Sequence, residues 1–317
     1  MQAKRRCLVL AAGFGTRMGS IGRRLPKVMW PVFEMSLLEL QVRFARKLGY
    51  EEVFINLHHQ ADEIHKRTQK NPIFKDVRWL LERPEILDIG GGIHNLASQP
   101  DVNYAGELLV LNSDQFLWFN AKELENWKSG AGDWDTLLLT LAVNSSQGYN
   151  QVKTDPTGRV LGVVPNSQIE RNVAIETYSG NSVVRLDRLD PTPGASAFFN
   201  SVASPAKKVM TAQLRKGHYW DFGTAHRYVN SMNGILDVVR KSEEDDFVSF
   251  LLSERALFLN KINHDKKSYG CDVPGLIHLG RGVPCVTHPP GVILAGEPCG
   301  TGTRSILIFE SEVQYLD

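Results

Sequence analysis

Between residues 10 and 27 the chain sets glycines, an arginine and a lysine at a spacing that suits a polyphosphate. The apolar run Cys7-Leu8-Val9-Leu10 reads as a buried strand, and it opens into Ala11-Ala12-Gly13-Phe14-Gly15-Thr16-Arg17-Met18-Gly19. Glycines let backbone close on a ligand, and successive amide N–H groups in such a turn can hold phosphate oxygens. Arg17 adds a planar donor fork and Lys27 a mobile point charge, with Pro26 fixing the backbone just before the lysine. The string G-x-x-x-x-G-K-[ST] does not occur. A dinucleotide-binding G-x-G-x-x-G also fails, because Gly19 comes one residue late and Arg17 stands where the helix should open, which sets aside a nicotinamide oxidoreductase.

The elements around this loop alternate. Ser36-Leu37-Leu38-Glu39 reads as a capping box opening an amphipathic helix that Gly49 stops, and Glu52 to Leu57 is the next strand. A helix over Gln60–Thr68 follows, then strand Trp79–Glu82, the triple Gly90-Gly91-Gly92, and a helix from Ile93. Glu107–Leu111 is a strand ending at Asn112-Ser113-Asp114, and Thr136–Val143 is a fifth. Such alternation predicts a mostly parallel sheet covered on both faces, with ligands beyond the carboxyl ends of the strands. Gln151–Leu189 reads as an antiparallel insertion. Thr224 is the expected N-cap of the next helix, the acidic run from Glu243 starts another that ends near Asn260, and Gly270–Asp317 reads as a small β appendage.

The run Leu10–Met18 with Pro26-Lys27 resembles the sugar-1-phosphate nucleotidyltransferases, whose pattern is L-A-A-G-x-G-T-R-[ML] followed by P-K. The resemblance covers roughly residues 5 to 240 and its motifs come in family order. It implies a Rossmann-like α/β fold of the GT-A nucleotide-diphospho-sugar transferase type; the antiparallel insertion and the C-terminal β appendage are read from the residues themselves, and the tail past Asp246 lies outside the part that resembles the family. The catalytic domain would be residues 1–243, followed by a helical linker and appendage over 244–317. Tyr219-Trp220-Asp221-Phe222-Gly223-Thr224 is similar to the family's W-x-D-I-G-T, whose aspartate is a metal ligand. Ser113-Asp114 stands where relatives show Gly-Asp. Glu82–Ile93 resembles E-x-x-x-x-L-G-T-G-G-G-I of the nucleotide pocket, with Asp88-Ile89 in place of Gly-Thr. Leu57-His58-His59-Gln60-Ala61 matches N-x-H-H-x-A, where polar support of loops is expected of the histidines, and Thr177–Val183 resembles T-[FY]-[ST]-G-I-x-V with Asn181 in the apolar place.

The resemblance implies transfer of a nucleotidyl group from a nucleoside triphosphate to a sugar-1-phosphate by in-line attack on the α-phosphate. The attacking oxygen is already anionic, so the site needs positioning and charge neutralisation rather than a protein nucleophile. Arg17 and Lys27 are the expected catalytic cations, Asp114 and Asp221 the ligands of Mg²⁺. Leu10, Ala11, Ala12, Gly13, Gly15, Thr16 and Gly90, Gly91, Gly92 are assigned to the nucleotide, and Glu82, Gly180 and Asn181 to the sugar. A Glu-Lys-Pro string whose lysine holds the sugar phosphate in many relatives is absent, leaving Arg171 or His94 as substitutes. The alternative is a sugar-nucleotide sensor or regulatory subunit that binds without turning over.

Composition is that of a soluble globular protein: 42% hydrophobic, 22% charged, formal net charge +1. That balance offers nothing to nucleic acid or an anionic membrane. The opening Lys4–Ala12 runs into glycines too soon for a secretory leader, so a cytoplasmic protein is expected. Cys271, Cys285 and Cys299, with His278 and His288 among them, lack the C-x-x-C pair that would nucleate zinc. Self-association through this tail, giving a homodimer, is the expected partner state.

Overall fold

The computed structural model describes residues 5–214, 217–242 and 244–263, and beyond them the strand segments 268–270, 277–279, 292–294, 305–309 and 312–316. Its helices, in chain order, are α1 Gly19–Arg24, α2 Leu37–Lys47, α3 Ala61–Thr68, α4 Asp88–Ala97, α5 Ala121–Gly130, α6 Phe198–Ser201, α7 Ala225–Lys241 and α8 Asp246–Ser253. Two compact units interleave along the chain. One comprises Met1–Gly13, Phe44–Ala61 and Asn71–Tyr219; the other Phe14–Arg43, Asp62–Lys70 and Trp220–Asp317.

The first unit is built on seven strands: β1 Arg6–Leu10, β2 Glu52–Leu57, β3 Arg78–Leu81, β4 Glu107–Asn112, β5 Thr136–Asn144 and, after the hairpin β6 Gln151–Thr154 with β7 Val160–Val164, β8 Ala174–Arg185 and β9 Val209–Leu214. Their order is β9-β5-β8-β4-β1-β2-β3. All neighbours run parallel except β8, which is antiparallel to both β4 and β5. This is the mostly parallel sheet with an antiparallel insertion that the sequence predicts. The parallel strands are continuous apolar runs because both faces are covered: Cys7, Leu8 and Val9 are each 0% exposed. On one face Leu8, Leu10, Phe54, Val110 and Leu138 pack with Ile93 and Leu96 of α4 and Phe198 of α6.

β8 is not a simple ladder. Tyr178 faces Thr140 and Ser182 faces Leu138, so four steps on β8 span two on β5. The detour holds Ser179, Gly180 and Asn181, with Gly180 at φ 83°.

Helix α4 begins at Asp88, five residues before the expected start, so the triple glycine lies inside the helix. Glycine in a helix interior costs about 1 kcal/mol relative to alanine. Close packing requires it here: a Cβ on Gly91 would land on the carbonyl of Gly194, and one on Gly90 would stand 2.7 Å from the carbonyl of Ser196. The space beside Gly90 and Gly91, which the sequence reading assigned to the nucleotide, is filled by the chain's own 194–201 segment.

In the second unit, α7 is capped as expected, Thr224 Oγ1 accepting from Arg227 N at 3.2 Å. Asp245 caps α8 through Phe247 N and Val248 N, but that helix stops at Ser253 rather than near Asn260, where Arg255 turns to φ 61°. The tail strands β10 Ile262–Asn263, β11 Ser268–Gly270, β12 Ile277–Leu279, β13 Val292–Leu294, β14 Ser305–Phe309 and β15 Glu312–Leu316 form one sheet, in the order β10-β11-β13-β12-β14-β15. Cys271, Cys285, Cys299 and His288 lie outside the described residues. Among the described residues no helix is long and apolar enough to cross a membrane.

Candidate functional site

In the first unit, three parallel strands finish on one row, Leu10 of β1 lying level with Asn56 of β2 and Asn112 of β4. The Leu10 carbonyl accepts from Ser113 N at 3.2 Å, tying the β1 and β4 ends together. Ala11 and Ala12 are still buried, at 4% and 6% exposure, whereas Gly13 is exposed with nothing within 4 Å of where a Cβ would be. The glycine loop therefore leaves the core at Gly13.

Asp114 follows directly. Asn112 organises it: Asn112 Oδ1 accepts from Asp114 N at 3.5 Å, and Asn112 Nδ2 donates to Gln115 Oε1 at 3.3 Å. Asn181, in the β8 detour, accepts from Asn112 N at 3.0 Å through its Oδ1. A Cβ on Gly180 would collide with Gln115 Oε1, so this turn takes a glycine both for its φ and for its neighbour. Asn181 is only 1% exposed. Its side chain orders the β4 end, which differs from the direct sugar contact the sequence reading assigned.

Glu82 likewise has another task than the sugar contact expected of it. It is 1% exposed, Oε1 accepting from Asn56 Nδ2 at 2.7 Å and Oε2 from Leu87 N at 2.8 Å. Asn56 Oδ1 in turn accepts from Ala11 N at 2.9 Å. Reading the motifs missed Asn56 as a site residue; the signal was its place as first residue of the N-x-H-H-x-A string. His58 supports the same loop, its Nδ1 lying 3.0 Å from the Glu82 carbonyl. Asp88 stands where relatives have glycine and adopts φ 59°, a conformation aspartate tolerates better than most residues. Ile89 packs against the core cluster. His94 is 3% exposed, with Nδ1 3.1 Å from Tyr104 Oη, and burial followed by the charge of Lys207 lowers its pKa below the ordinary 6.5. A neutral, enclosed imidazole does not replace the missing phosphate-binding lysine.

The second unit holds the cations Arg17 and Lys27. Gly15, at φ 63°, begins a turn that buries Met18 completely and leaves Thr16 and Arg17 exposed. Lys27 opens a second turn after Pro26, and a Cβ on Gly15 would stand 3.5 Å from Lys27 Cβ. Lys27 Nζ donates to the carbonyl of Gly223 at 3.4 Å. Gly223 N donates to Asp221 Oδ1 at 2.7 Å, while Arg227 Nη1 lies 2.6 Å from Asp221 Oδ2. The structure thus brings Gly15, Lys27 and the Asp221 turn together. The frame behind them is aromatic: Trp30 meets Tyr228 edge-on at 4.9 Å, and Tyr228 Oη donates to the Pro31 carbonyl at 2.6 Å.

The donors suit a hard divalent ion. Among the described residues no three His, Cys, Asp or Glu side chains cluster into a ready cage. Magnesium does not ask for one, because it takes one or two carboxylates and completes its shell with water and phosphate oxygens.

Comparison with known proteins places the sequence. The model of the family described as nucleotidyl transferase matches residues 6–238, well over half of the chain. The bifunctional protein GlmU of Synechococcus sp. (strain CC9311) is 34% identical over 175 residues, 55% of this chain and 36% of that protein. A probable mannose-1-phosphate guanylyltransferase 2 of Arabidopsis thaliana is 25% identical over 248 residues, covering 74% of this chain and 66% of that one. The chain thus spans about a third of the GlmU relative. HddC from Yersinia pseudotuberculosis shares the fold, with a TM-score of 0.62 at 19% identity over 73% of this chain and 99% of that structure. The same protein complexed with GMP-PN superposes with a TM-score of 0.61 at 20% identity. With a parallel sheet that ends on the glycine loop and a family match running from β1 into α7, the chain belongs to the nucleotidyl transferase family.

Proposed function

We propose that this protein joins a nucleoside triphosphate to a sugar-1-phosphate, giving a nucleoside-diphosphate sugar and pyrophosphate. The observation that carries the reading is the association of the Gly15 turn, Lys27 and the Asp221 turn within a chain of this family. A phosphate oxygen of the sugar forms the new bond to the α-phosphorus, the bond from that phosphorus to the bridging oxygen breaks, and pyrophosphate leaves with the electron pair. Backbone amides of Leu10–Thr16 hold the triphosphate. Arg17 and Lys27 neutralise the departing pyrophosphate. Gly180 and Asn181 shape the sugar side through the β4 end. Asp114 and Asp221 supply carboxylates to Mg²⁺, which when bound offsets charge on the phosphates.

Residues 1–243 carry the catalytic machinery in this reading, the protein works in the cytoplasm, and the tail mediates a homodimer, which light scattering on the purified chain tests. The activity is tested by pyrophosphate release from a panel of nucleoside triphosphates and sugar-1-phosphates with Mg²⁺. Turnover that disappears in Asp114→Asn supports the reading. Nucleotide binding without turnover over the whole panel supports instead a sensor built on the same site.

A further inference from the structure

Three hydrogen bonds in series, the first two buried and the third partly so, run from the glycine loop to the start of α4: Ala11 N to Asn56 Oδ1, Asn56 Nδ2 to Glu82 Oε1, and Leu87 N to Glu82 Oε2, at 2.9, 2.7 and 2.8 Å. Both side chains are almost fully enclosed, Asn56 at 3% and Glu82 at 1% exposure. The chemistry of the ends dictates that of the middle. A main-chain N–H at Ala11 requires the amide oxygen of Asn56 to face it, which turns Nδ2 toward Glu82. Glu82 must accept there and also from Leu87, and a carboxylate accepts at both oxygens. Gly92 leaves room for the pair, since a Cβ on it would stand 3.0 Å from Asn56 Nδ2 and 3.1 Å from Glu82 Oε1.

We propose that Asn56 is a positioning residue for the glycine loop. With the Ala11 amide committed inward, the peptide plane at the end of β1 is fixed, and the chain leaves the core at Gly13 in one orientation rather than several. Asn56 touches no substrate in this account; it sets the affinity for the triphosphate by presenting the loop preorganised, with Glu82 holding the amide group against rotation. The proposal rests on the reading of residues 11–16 as the triphosphate cradle.

The test exchanges the two head groups. Asn56→Asp alone puts two carboxylates face to face, and Glu82→Gln alone sets one N–H group against another. The double variant N56D/E82Q can form all three hydrogen bonds again, because the new carboxylate accepts from Ala11 and from the new amide, whose oxygen accepts from Leu87. Binding of the best triphosphate from a panel of ATP, GTP, UTP, CTP and dTTP is measured by calorimetry, with Mg²⁺ and full-length protein. Each single variant is expected to bind roughly tenfold more weakly, the double variant within about threefold of wild type. KM for the triphosphate should rise in the single variants while KM for the sugar phosphate and kcat at saturation hold, a split that general loosening of the fold would not produce. If N56D is too unstable to purify, E82Q beside the double variant gives the same comparison. Wild-type affinity in the single variants, or a double variant no better than they are, overturns the proposal. A wild type that binds no triphosphate overturns the reading of the site and the proposal with it.

Discussion

Arg227 holds the carboxylate of Asp221, its Nη1 lying 2.6 Å from Oδ2, while the other oxygen accepts from the main chain at Gly223. The aspartate assigned to Mg²⁺ therefore already has a cation beside it. The pair is partly solvated, with side-chain exposures of 33% and 8%, so it contributes about 1 kcal/mol at most. A metal ion must share or displace that guanidinium. Arg227→Gln should accordingly lower the half-saturating Mg²⁺ concentration by roughly fivefold. Titration of Mn²⁺ followed by electron paramagnetic resonance checks this without any turnover, and an unmoved or higher midpoint counts against it.

Lys27 offers a cleaner separation of chemistry from folding. Its ammonium donates a long hydrogen bond of 3.4 Å to Gly223. Lys27→Ala should slow pyrophosphate release by roughly 10²- to 10³-fold, a loss much larger than its effect on thermal unfolding. Arg17, exposed on its turn, should behave in the same way. A comparable loss of melting temperature in either variant would reassign that side chain to the fold.

Glycines of the same motif set should differ sharply under substitution. Gly91→Ala drives a methyl into the Gly194 carbonyl, a backbone atom with no rotamer to yield, and is expected to cost about 2–3 kcal/mol. Gly13→Ala meets nothing and should leave unfolding unchanged, while still lowering triphosphate affinity. Chemical denaturation of both variants, with nucleotide titration of the second, makes the comparison.

His94 predicts a dependence of stability on pH. Its folded pKa is depressed by burial and by Lys207, so in the window between that value and the ordinary 6.5 the unfolded chain binds the extra proton and the folded one does not. The stability this site contributes is present above pH 6.5 and declines as the solution is acidified through the window. His94→Gln should flatten that part of the melting-temperature profile between pH 7.5 and 5.5. A profile that stays as steep as wild type would mean another group is titrating.

Periodicity made the sheet legible. The strands over Glu52–Leu57 and Glu107–Leu111, and the one that opens into the glycine loop, could be read from apolar runs followed by polar residues or glycine, and the alternation with helices implied their parallel order. The glycine cluster misled because composition does not say what occupies the space: Gly90 and Gly91 were read as facing a ligand and face the 194–201 segment. Buried side chains misled in the same way. Glu82 and Asn181 occupy motif positions, yet their oxygens are used by main-chain and amide donors more than twenty residues away in sequence or beyond a turn, and no local pattern records such partners. Helix α8 was overextended because Leu257, Phe258 and Leu259 continue an apolar run after the backbone has turned at Arg255.

The detour in β8 bears on how sequences of this kind can lengthen or shorten. Two surplus residues separate the ladder at Tyr178 from the one at Ser182, and an even surplus leaves alternation intact, so inward side chains stay inward on either side. A single added or deleted amino acid there would turn Ser182–Arg185 inside out against two partners at once. Length variation among descendants of this chain should therefore occur at this point in steps of two.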